Sequence, residues 1–197
     1  EALRSRTELL HEVEHRVKNN LQLISALILI ELKRANGSVE RQALSTLKER
    51  IEALASVHRR LYRDGDISRF DVAAFVREFS SEALRTRARR DVALRLDLTE
   101  VQVAAPYAAP VALLVSEMVR VAIGYADARA VNGVCFSIKE GTNQRYRYCL
   151  EADDQDAPLE HAVKDSSRAF IDMLARQLRA RVFWNANGAA NRICIDL

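Results

Sequence analysis

Cysteine is scarce in this sequence, and its three cysteines form no pattern that binds a metal ion. Cys135, Cys149 and Cys194 each lie in a run typical of a β-strand, and none belongs to a Cys-x-x-Cys motif. This spacing excludes a zinc site or a redox motif built on paired cysteines. We predict three free thiols, as in a protein of the reducing cytoplasm.

The sequence also lacks a membrane-spanning run and a block of basic residues. The apolar stretch 21–30 is too short to cross a bilayer and is interrupted by Gln22 and Ser25. The net charge of +3 comes without a Lys/Arg block or an aromatic–basic stripe, so no nucleic-acid partner is predicted. With no signal peptide, we predict a cytoplasmic fragment without a membrane segment. Because it begins at Glu1, already in helical phase, we expect it to come from a longer protein.

Apolar residues at helical spacing dominate the first third of the chain. Residues 1–35 read as one helix, and Asn36-Gly37-Ser38 combines a helix stop, a turn and a new N-cap. The second helix carries a stripe at three- and four-residue spacing: Leu44, Leu47, Ile51, Leu54, His58 and Leu61. We predict an antiparallel hairpin over residues 1–65, with His58 in its core or interface. One hairpin leaves its seam half uncovered, so we predict a homodimer that forms a four-helix bundle.

Residues 66–197 show the patterns of a second domain with an α+β fold. Asp71 is placed to cap a helix to about residue 87, and Pro110 to start an apolar helix, 111–126. Strand-like alternation occurs at 91–98, 134–139, 146–151, 181–185 and 192–197, and a further helix is predicted at 167–178. Paired strands with helices on one side predict a two-layer α/β sandwich behind the hairpin.

The first helix also carries a pair of side chains suited to phosphoryl chemistry. His15 and Asn19 are four residues apart, so a helix places them on one face. The apolar residues Val13, Val17, Leu21, Ile24 and Ile28 recur on a different face. An imidazole that points away from the apolar seam can attack a phosphoryl group, and the neighbouring amide can position a ligand or a water.

The run His-Arg-Val-Lys-Asn-Asn-Leu-Gln-Leu-Ile, which starts at His15, resembles the HRxxN phosphoacceptor box of bacterial sensor histidine kinases, close to the HWE branch. The resemblance implies that His15 carries the phosphoryl group. Glu14, or Glu12, is a candidate for orienting the imidazole. Arg16 and Lys18 either contact a receiver domain or belong to a solvated helix face.

The second domain resembles the ATP-binding domain of the same kinases, but its nucleotide boxes are degenerate. Val121 stands where the family has its magnesium-coordinating Asn, and a hydrocarbon cannot ligate a hard cation. Gln155 and Ala157 lie in the altered Asp-x-Gly-x-Gly box, and Ala169 in the altered Gly-Leu box. Side chains at former glycine positions restrict the backbone and fill space that a ligand needs. We therefore predict no cofactor on this chain.

These features predict a histidine phosphotransferase in a two-component phosphorelay. His15 would exchange a phosphoryl group with aspartates of response regulator receiver domains, and the receiver would supply Mg²⁺. Two alternatives stay open. One is a phosphatase of a phosphorylated response regulator that uses Asn19, and the other is a non-catalytic pseudokinase that docks a receiver. An ATP-dependent autokinase is disfavoured by the altered boxes.

Overall fold

A computed structural model of the chain describes residues 2–63, 68–85, 94–129, 133–141, 145–154, 158–184 and 191–197. In the first helix it describes the side chains of Val17 and of residues from 19 onward, but not those of residues 2–16 and 18; the side chains of residues 62, 63 and 129 are likewise left aside. The chain divides into two compact units, Glu1–Phe70 and Asp71–Leu197. The domain boundary predicted at residue 65 lies outside the described residues.

The first unit is the predicted helical hairpin. Helix α1 spans Ala2–Arg34 and helix α2 spans Ser38–Arg63, and the two pack against each other. Lys33 and Arg34 place positive charge at the C-terminal end of α1, where the helix dipole favours it. The Arg41 guanidinium donates a hydrogen bond of 2.9 Å to the carbonyl of Ala35, which joins the start of α2 to the end of α1.

The second unit alternates strands and helices in the predicted α+β manner. Its helices are α3 (Val72–Arg85), α4 (Ala105–Arg129), α5 (Leu159–Ala162) and α6 (Asp165–Leu178). Strand β1 (Arg69–Asp71) spans the boundary between the two units. The strands of the second unit, in chain order, are β2 (Leu94–Leu98), β3 (Gln102–Ala104), β4 (Val134–Glu140), β5 (Tyr146–Ala152), β6 (Arg181–Trp184) and β7 (Asn191–Asp196). Asp71 caps α3 as predicted, because its carboxylate accepts a hydrogen bond of 2.8 Å from the Ala74 N–H.

Five strands form one mixed sheet in the order β2-β4-β5-β7-β6. β2 runs parallel to β4, and the other neighbours are antiparallel. Alternate residues on one face are buried: Val134, Phe136, Ile138, Tyr148, Leu150, Ile193 and Ile195. The opposite face carries charged side chains, including the cross-strand ion pairs of Arg147 with Asp196 and of Lys139 with Asp97. The two-layer arrangement is confirmed.

Helix α4 is the centre of the second unit and is apolar almost all the way round. It packs against α3, α6 and β4. By length and composition alone, Ala105–Ala128 is a candidate membrane span among the described residues. However, 72% of its most apolar window is buried in the protein, as in the core helix of a soluble protein.

The prediction of three free thiols is wrong. Cys149 and Cys194 form a disulfide, and Cys135 is the free cysteine. The cause lies in the sheet register, because Cys149 on β5 stands directly opposite Cys194 on β7. The two residues are 45 positions apart in the sequence, so their spacing gave no sign of the pairing.

Three further details differ from the predicted elements. Helix α4 begins at Ala105, before Pro110; the proline removes one backbone hydrogen bond, and the packing of the helix compensates for it. Strands β1 and β3 and the four-residue helix α5 were not predicted, because three or four residues are too few to show a period. Residues 91–93 of the predicted strand, and the turn predicted around Asn187, lie outside the described residues.

Candidate functional site

The backbone of α1 is helical throughout the segment that carries His15 and Asn19. The two residues are one turn apart, and Asn19 is exposed. Leu21, which lies about 200° round the helix from Asn19, is buried. The amide therefore points away from the buried side of α1, as the sequence predicts. The side chains of Glu14, His15 and Arg16 lie outside the description, so their roles stay predictions.

The hairpin buries a different set of apolar residues from the set predicted. On α1, Leu21 and Ile28 are buried, but Ile24 is exposed. On α2, the buried residues are Ala53 and Val57. The predicted stripe lies beside them: Leu47 is exposed, and Leu44, Ile51, Leu54, His58 and Leu61 are half-buried. The most buried positions of α2 are thus next to the predicted stripe and not on it.

A row of large apolar side chains on α1 remains uncovered. Leu23 is 61% exposed, Leu27 is 54% exposed and Ile30 is also exposed. Their spacing of four and three residues places them on one face of the helix. We call these three residues the α1 apolar row. A monomeric hairpin leaves this row in water, although a contiguous exposed patch of this kind usually marks an interaction site.

In the second unit, the helix that resembles the kinase N box holds a buried ion pair. Glu117 on α4 is only 1% exposed, and both of its carboxylate oxygens accept hydrogen bonds from the guanidinium of Arg120. The same guanidinium donates a hydrogen bond of 2.7 Å to the Ser167 hydroxyl of α6. Val121, the next residue, is buried and offers no oxygen. A guanidinium thus joins α4 to the first turn of α6.

The side-chain amide of Asn191 connects three segments of the second unit further along α4. The side-chain amide of Asn191, at the start of β7, donates hydrogen bonds to the Tyr125 hydroxyl at 3.1 Å and to the Asp154 carbonyl at 2.6 Å. Its oxygen accepts a hydrogen bond from the backbone N–H of Leu159 in α5. Asn191 therefore links α4, the end of β5 and α5.

Sequence reasoning missed Asn191, although the strand contained a signal for it. Asn191, Ile193 and Ile195 alternate on the buried face of β7. A polar residue at an inward position of an apolar strand needs hydrogen-bond partners inside the fold. The partners themselves were not predictable, because Tyr125 is 66 positions away.

The positions predicted to replace the glycines of the kinase boxes are described only in part. Gln155 and Ala157 lie outside the described residues. Ala169 is exposed on α6, and the helix runs from Asp165 straight through the segment that resembles the Gly-Leu box. Arg168, its neighbour, pairs with Glu160 of α5 and places its guanidinium 4.5 Å from the ring centre of Trp184. These contacts hold α5 and β6 against the first turns of α6.

Comparisons with known proteins show which proteins this chain is similar to. A histidine kinase family model (HisKA_2) matches residues 12–87, which include the whole His15–Asn19 segment. The sensor histidine kinase PdtaS of Mycolicibacterium smegmatis is 26% identical over 187 residues, 92% of this chain. PdtaS of Mycobacterium tuberculosis is 39% identical over 57 residues. The chain spans 36% of the length of the M. smegmatis protein.

Two solved structures share the fold. The blue-light activated histidine kinase EL346 of Erythrobacter litoralis matches 96% of this chain and 58% of its own length, with a TM-score of 0.66 and 22% identity. The histidine kinase domain of the same protein matches 95% of this chain and 89% of its own length, with a TM-score of 0.62 and 25% identity. The chain therefore has the fold of these histidine kinase structures, and its residues 12–87 match the histidine kinase family model.

Proposed function

We propose that this chain is a histidine phosphotransferase of a bacterial two-component phosphorelay, and that it works without ATP of its own. His15 accepts a phosphoryl group from the phosphorylated aspartate of one receiver domain and passes it to the aspartate of another. The helical spacing of His15 and Asn19, and the match of this segment to the histidine kinase family model, support the phosphoryl-carrying role. The exchange takes place in the cytoplasm, where receiver domains are found.

The observation that carries the proposal is the position of Arg120. In the kinases that this chain resembles, the corresponding part of α4 holds a magnesium ion for ATP. Here Val121 supplies no ligand, and the carboxylate of Glu117 is taken up by the Arg120 guanidinium. A fixed positive charge that is bonded to α6 disfavours a divalent cation at the same place. These residues do not fit a magnesium–nucleotide complex, which favours a phosphoryl donor other than ATP.

In this proposal the chemical step uses His15 and the receiver, and the second unit contributes little to it. The neutral imidazole of His15 attacks the phosphorus of the aspartyl phosphate; the P–N bond forms and the P–O bond to the aspartate breaks, with the electron pair leaving on the carboxylate. The receiver holds the Mg²⁺ that neutralises the phosphoryl oxygens. Glu14 is proposed to orient the imidazole, and Arg16 to meet the acidic site of the receiver.

A homodimer is the proposed assembly. The α1 apolar row is exposed in one chain. The predicted apolar stripe of α2 is mostly half-buried, whereas Ala53 and Val57 beside it are buried. A second hairpin packed on these surfaces would complete a four-helix bundle, in which each helix buries a second apolar face. Leu23 and Leu27 continue the face of His15 and Asn19 at four-residue spacing, so the proposed interface lies one and two turns further along α1 and the receiver is proposed to dock at the preceding turn.

The decisive experiment follows labelled phosphate from a phosphorylated receiver to this protein. We expect the wild-type protein to acquire acid-labile label without ATP, and His15→Ala to acquire none. His11→Ala is the matched control, because it removes an imidazole one turn earlier on the same helix and should keep full transfer. If His15→Ala is labelled as well as the wild type, the proposal is wrong. Label from ATP and Mg²⁺ alone would establish an autokinase instead.

A phosphatase is the second candidate, and the exposure of Asn19 favours it. An amide one turn after the histidine can orient a water toward the phosphoryl group of a docked receiver. In that case the receiver loses its phosphate in the presence of His15→Ala, and the rate falls only when Asn19→Ala is added. Asn20→Ala, an exposed amide on the neighbouring position, is the matched control.

A docking pseudokinase is the third candidate, from a different functional class. It predicts that a receiver binds the hairpin with unchanged affinity after both His15 and Asn19 are replaced, and that no phosphoryl group moves in the wild type. Isothermal titration with the unphosphorylated receiver, run beside the label-transfer assay, separates this outcome from the first two.

A further inference from the structure

We propose that Cys149 and Cys194 form a redox-controlled staple that a dithiol reductant of the thioredoxin class opens and a disulfide oxidant closes. The two cysteines lie opposite each other on β5 and β7 and are bonded. In the cytoplasm, the location proposed above, such reductants are present continuously, so this bond would be formed or broken according to the redox state of the cell. The proposal does not depend on which phosphoryl reaction the hairpin performs.

The place of the disulfide in the sheet explains what it controls. The bond encloses 45 positions of chain, and this loop contains α5, α6 and β6. Ala152 stands opposite Asn191, three residue pairs along β5 and β7 from the pair Cys149–Cys194. The staple therefore fixes the β5–β7 register about 10 Å from the amide that ties α5 to α4. Reduction frees the loop and leaves that register to the backbone hydrogen bonds and to cross-strand ion pairs such as Arg147–Asp196.

The surroundings also indicate how a reductant gains access. Both cysteines are buried: Cys149 is 3% exposed and Cys194 is 2% exposed. On the same face of the sheet, Cys149 has Ser137 of β4 beside it, and Cys194 has Phe183 of β6 beside it. β6 is the four-residue strand at the edge of the sheet, and Phe183 is itself exposed. The short edge strand is the side that opens most readily, so attack comes at Cys194.

The exchange balances without any other reactant. A thiolate of the dithiol attacks the Sγ of Cys194, the Cys149–Cys194 bond breaks, and Cys149 leaves as a thiolate that takes up a proton. The second thiol of the reductant, as its thiolate, then attacks the mixed disulfide and expels Cys194, which is also protonated. The reductant loses two electrons and becomes a disulfide, and the protein gains two thiols. Oxidation by a disulfide oxidant is the reverse sequence.

Cys135 lies on the same face of the sheet but is unsuited to compete. It stands opposite Glu151 of β5, and the next pair of β4 and β5 residues on this face is Ser137 and Cys149. Burial raises the pKa of the Cys135 thiol above its usual value, while Arg95 acts in the opposite direction. The thiol is therefore mainly protonated at neutral pH, and the thiolate is the nucleophile in exchange. The pair Cys149–Cys194 is the redox site, and Cys135 serves as an internal reference.

The first test counts thiols in the intact chain. The protein is equilibrated with oxidised glutathione, denatured without reductant, alkylated with iodoacetamide and analysed by mass spectrometry. We expect one alkylated cysteine, Cys135, and a linked peptide that contains Cys149 and Cys194. Prior treatment with dithiothreitol should give three alkylated cysteines. Three alkylated cysteines in the oxidised sample would overturn the proposal.

The second test measures what the staple controls and where it opens. Reduction of the native protein should raise amide hydrogen exchange in β6, β7 and α5 by roughly tenfold or more, with little change in the hairpin. Equal exchange in both redox states would contradict the proposed control. Phe183→Ala should speed reduction several-fold, whereas Met173→Ala, an exposed apolar residue of α6, should not. Equal rates for both variants would refute access past Phe183. The oxidised and reduced wild type need no variant to fold.

Discussion

The helical hairpin and the second unit differ in how completely they bury their large apolar side chains. In the hairpin, Leu23 and Leu27 remain more than half exposed while the small residue Ala53 is buried. In the second unit, α4 is buried on nearly every side, and even its charged residue Glu117 has its partner within the same helix. The first unit needs a second surface to complete its packing. The second unit pairs its buried Glu117 carboxylate within itself, in the helix that resembles the kinase N box.

The largest expected effect comes from charging the open surface of the hairpin. Leu27→Glu would place a carboxylate from each copy in the proposed dimer interface, at a cost of at least about 3 kcal/mol per buried charge. We expect light scattering to report a dimer for the wild type and a monomer for Leu27→Glu. Met173→Glu, an equally exposed apolar position on α6, should stay dimeric. A monomeric wild type would remove the basis of the comparison.

A smaller effect is expected from opening the buried ion pair of the second unit. Arg120→Met leaves the Glu117 carboxylate buried without its guanidinium partner, and should destabilise the protein by about 3 kcal/mol in urea unfolding. Adding Glu117→Gln removes the buried charge and should restore most of that loss. If the double variant is no more stable than Arg120→Met, the pair is not the source of the effect.

The smallest effect concerns the charged face of the sheet. The Arg147 guanidinium donates hydrogen bonds of 2.6 and 2.8 Å to both carboxylate oxygens of Asp196 and lowers the pKa of that carboxyl below 3.8. A lowered pKa contributes stability that is present above pH 3.8 and is lost as the pH falls through the folded-state value. Because Arg147 is half exposed, the contribution is about 1 kcal/mol.

Asp196→Asn should therefore lower the free energy of unfolding at pH 7 by about 1 kcal/mol and remove the corresponding loss of stability as the pH falls through the lowered pKa of Asp196. The matched control is Glu82→Gln, because Glu82 and Arg85 form a 3.9 Å pair in which both side chains are largely exposed. That variant should unfold like the wild type at every pH. Identical pH profiles for Asp196→Asn and the wild type would contradict the assignment.

The same contrast explains how much of the molecule the sequence could predict. The hairpin and the main strands follow from local periods, because a helix or strand face repeats every few residues. The Asp71 cap is likewise a local signal, because its carboxylate accepts a hydrogen bond from the N–H of Ala74, only three residues away. The His15–Asn19 segment and the significance of Val121 were predicted from residue types and a resemblance to a family, and they stay predictions.

Contacts between distant parts of the chain were beyond that reasoning. Arg120 and Ser167 are 47 positions apart, and Cys149 and Cys194 are 45 apart. Such pairs depend on the register of neighbouring strands and the packing of helices, and one residue of slip would turn Cys194 to the other face. The exposed row of α1 was missed for a related reason, since periodicity shows that a face is apolar but not which neighbour covers it.

The Arg120 guanidinium limits what single substitutions in this part of α4 can achieve. Val121→Asn alone would add an amide to the helix but leave a positive charge beside any incoming cation. Arg120→Met alone would remove the guanidinium from the buried Glu117 carboxylate and from the Ser167 hydroxyl. Neither substitution alone is therefore expected to give a stable protein with a set of oxygen ligands for a divalent cation.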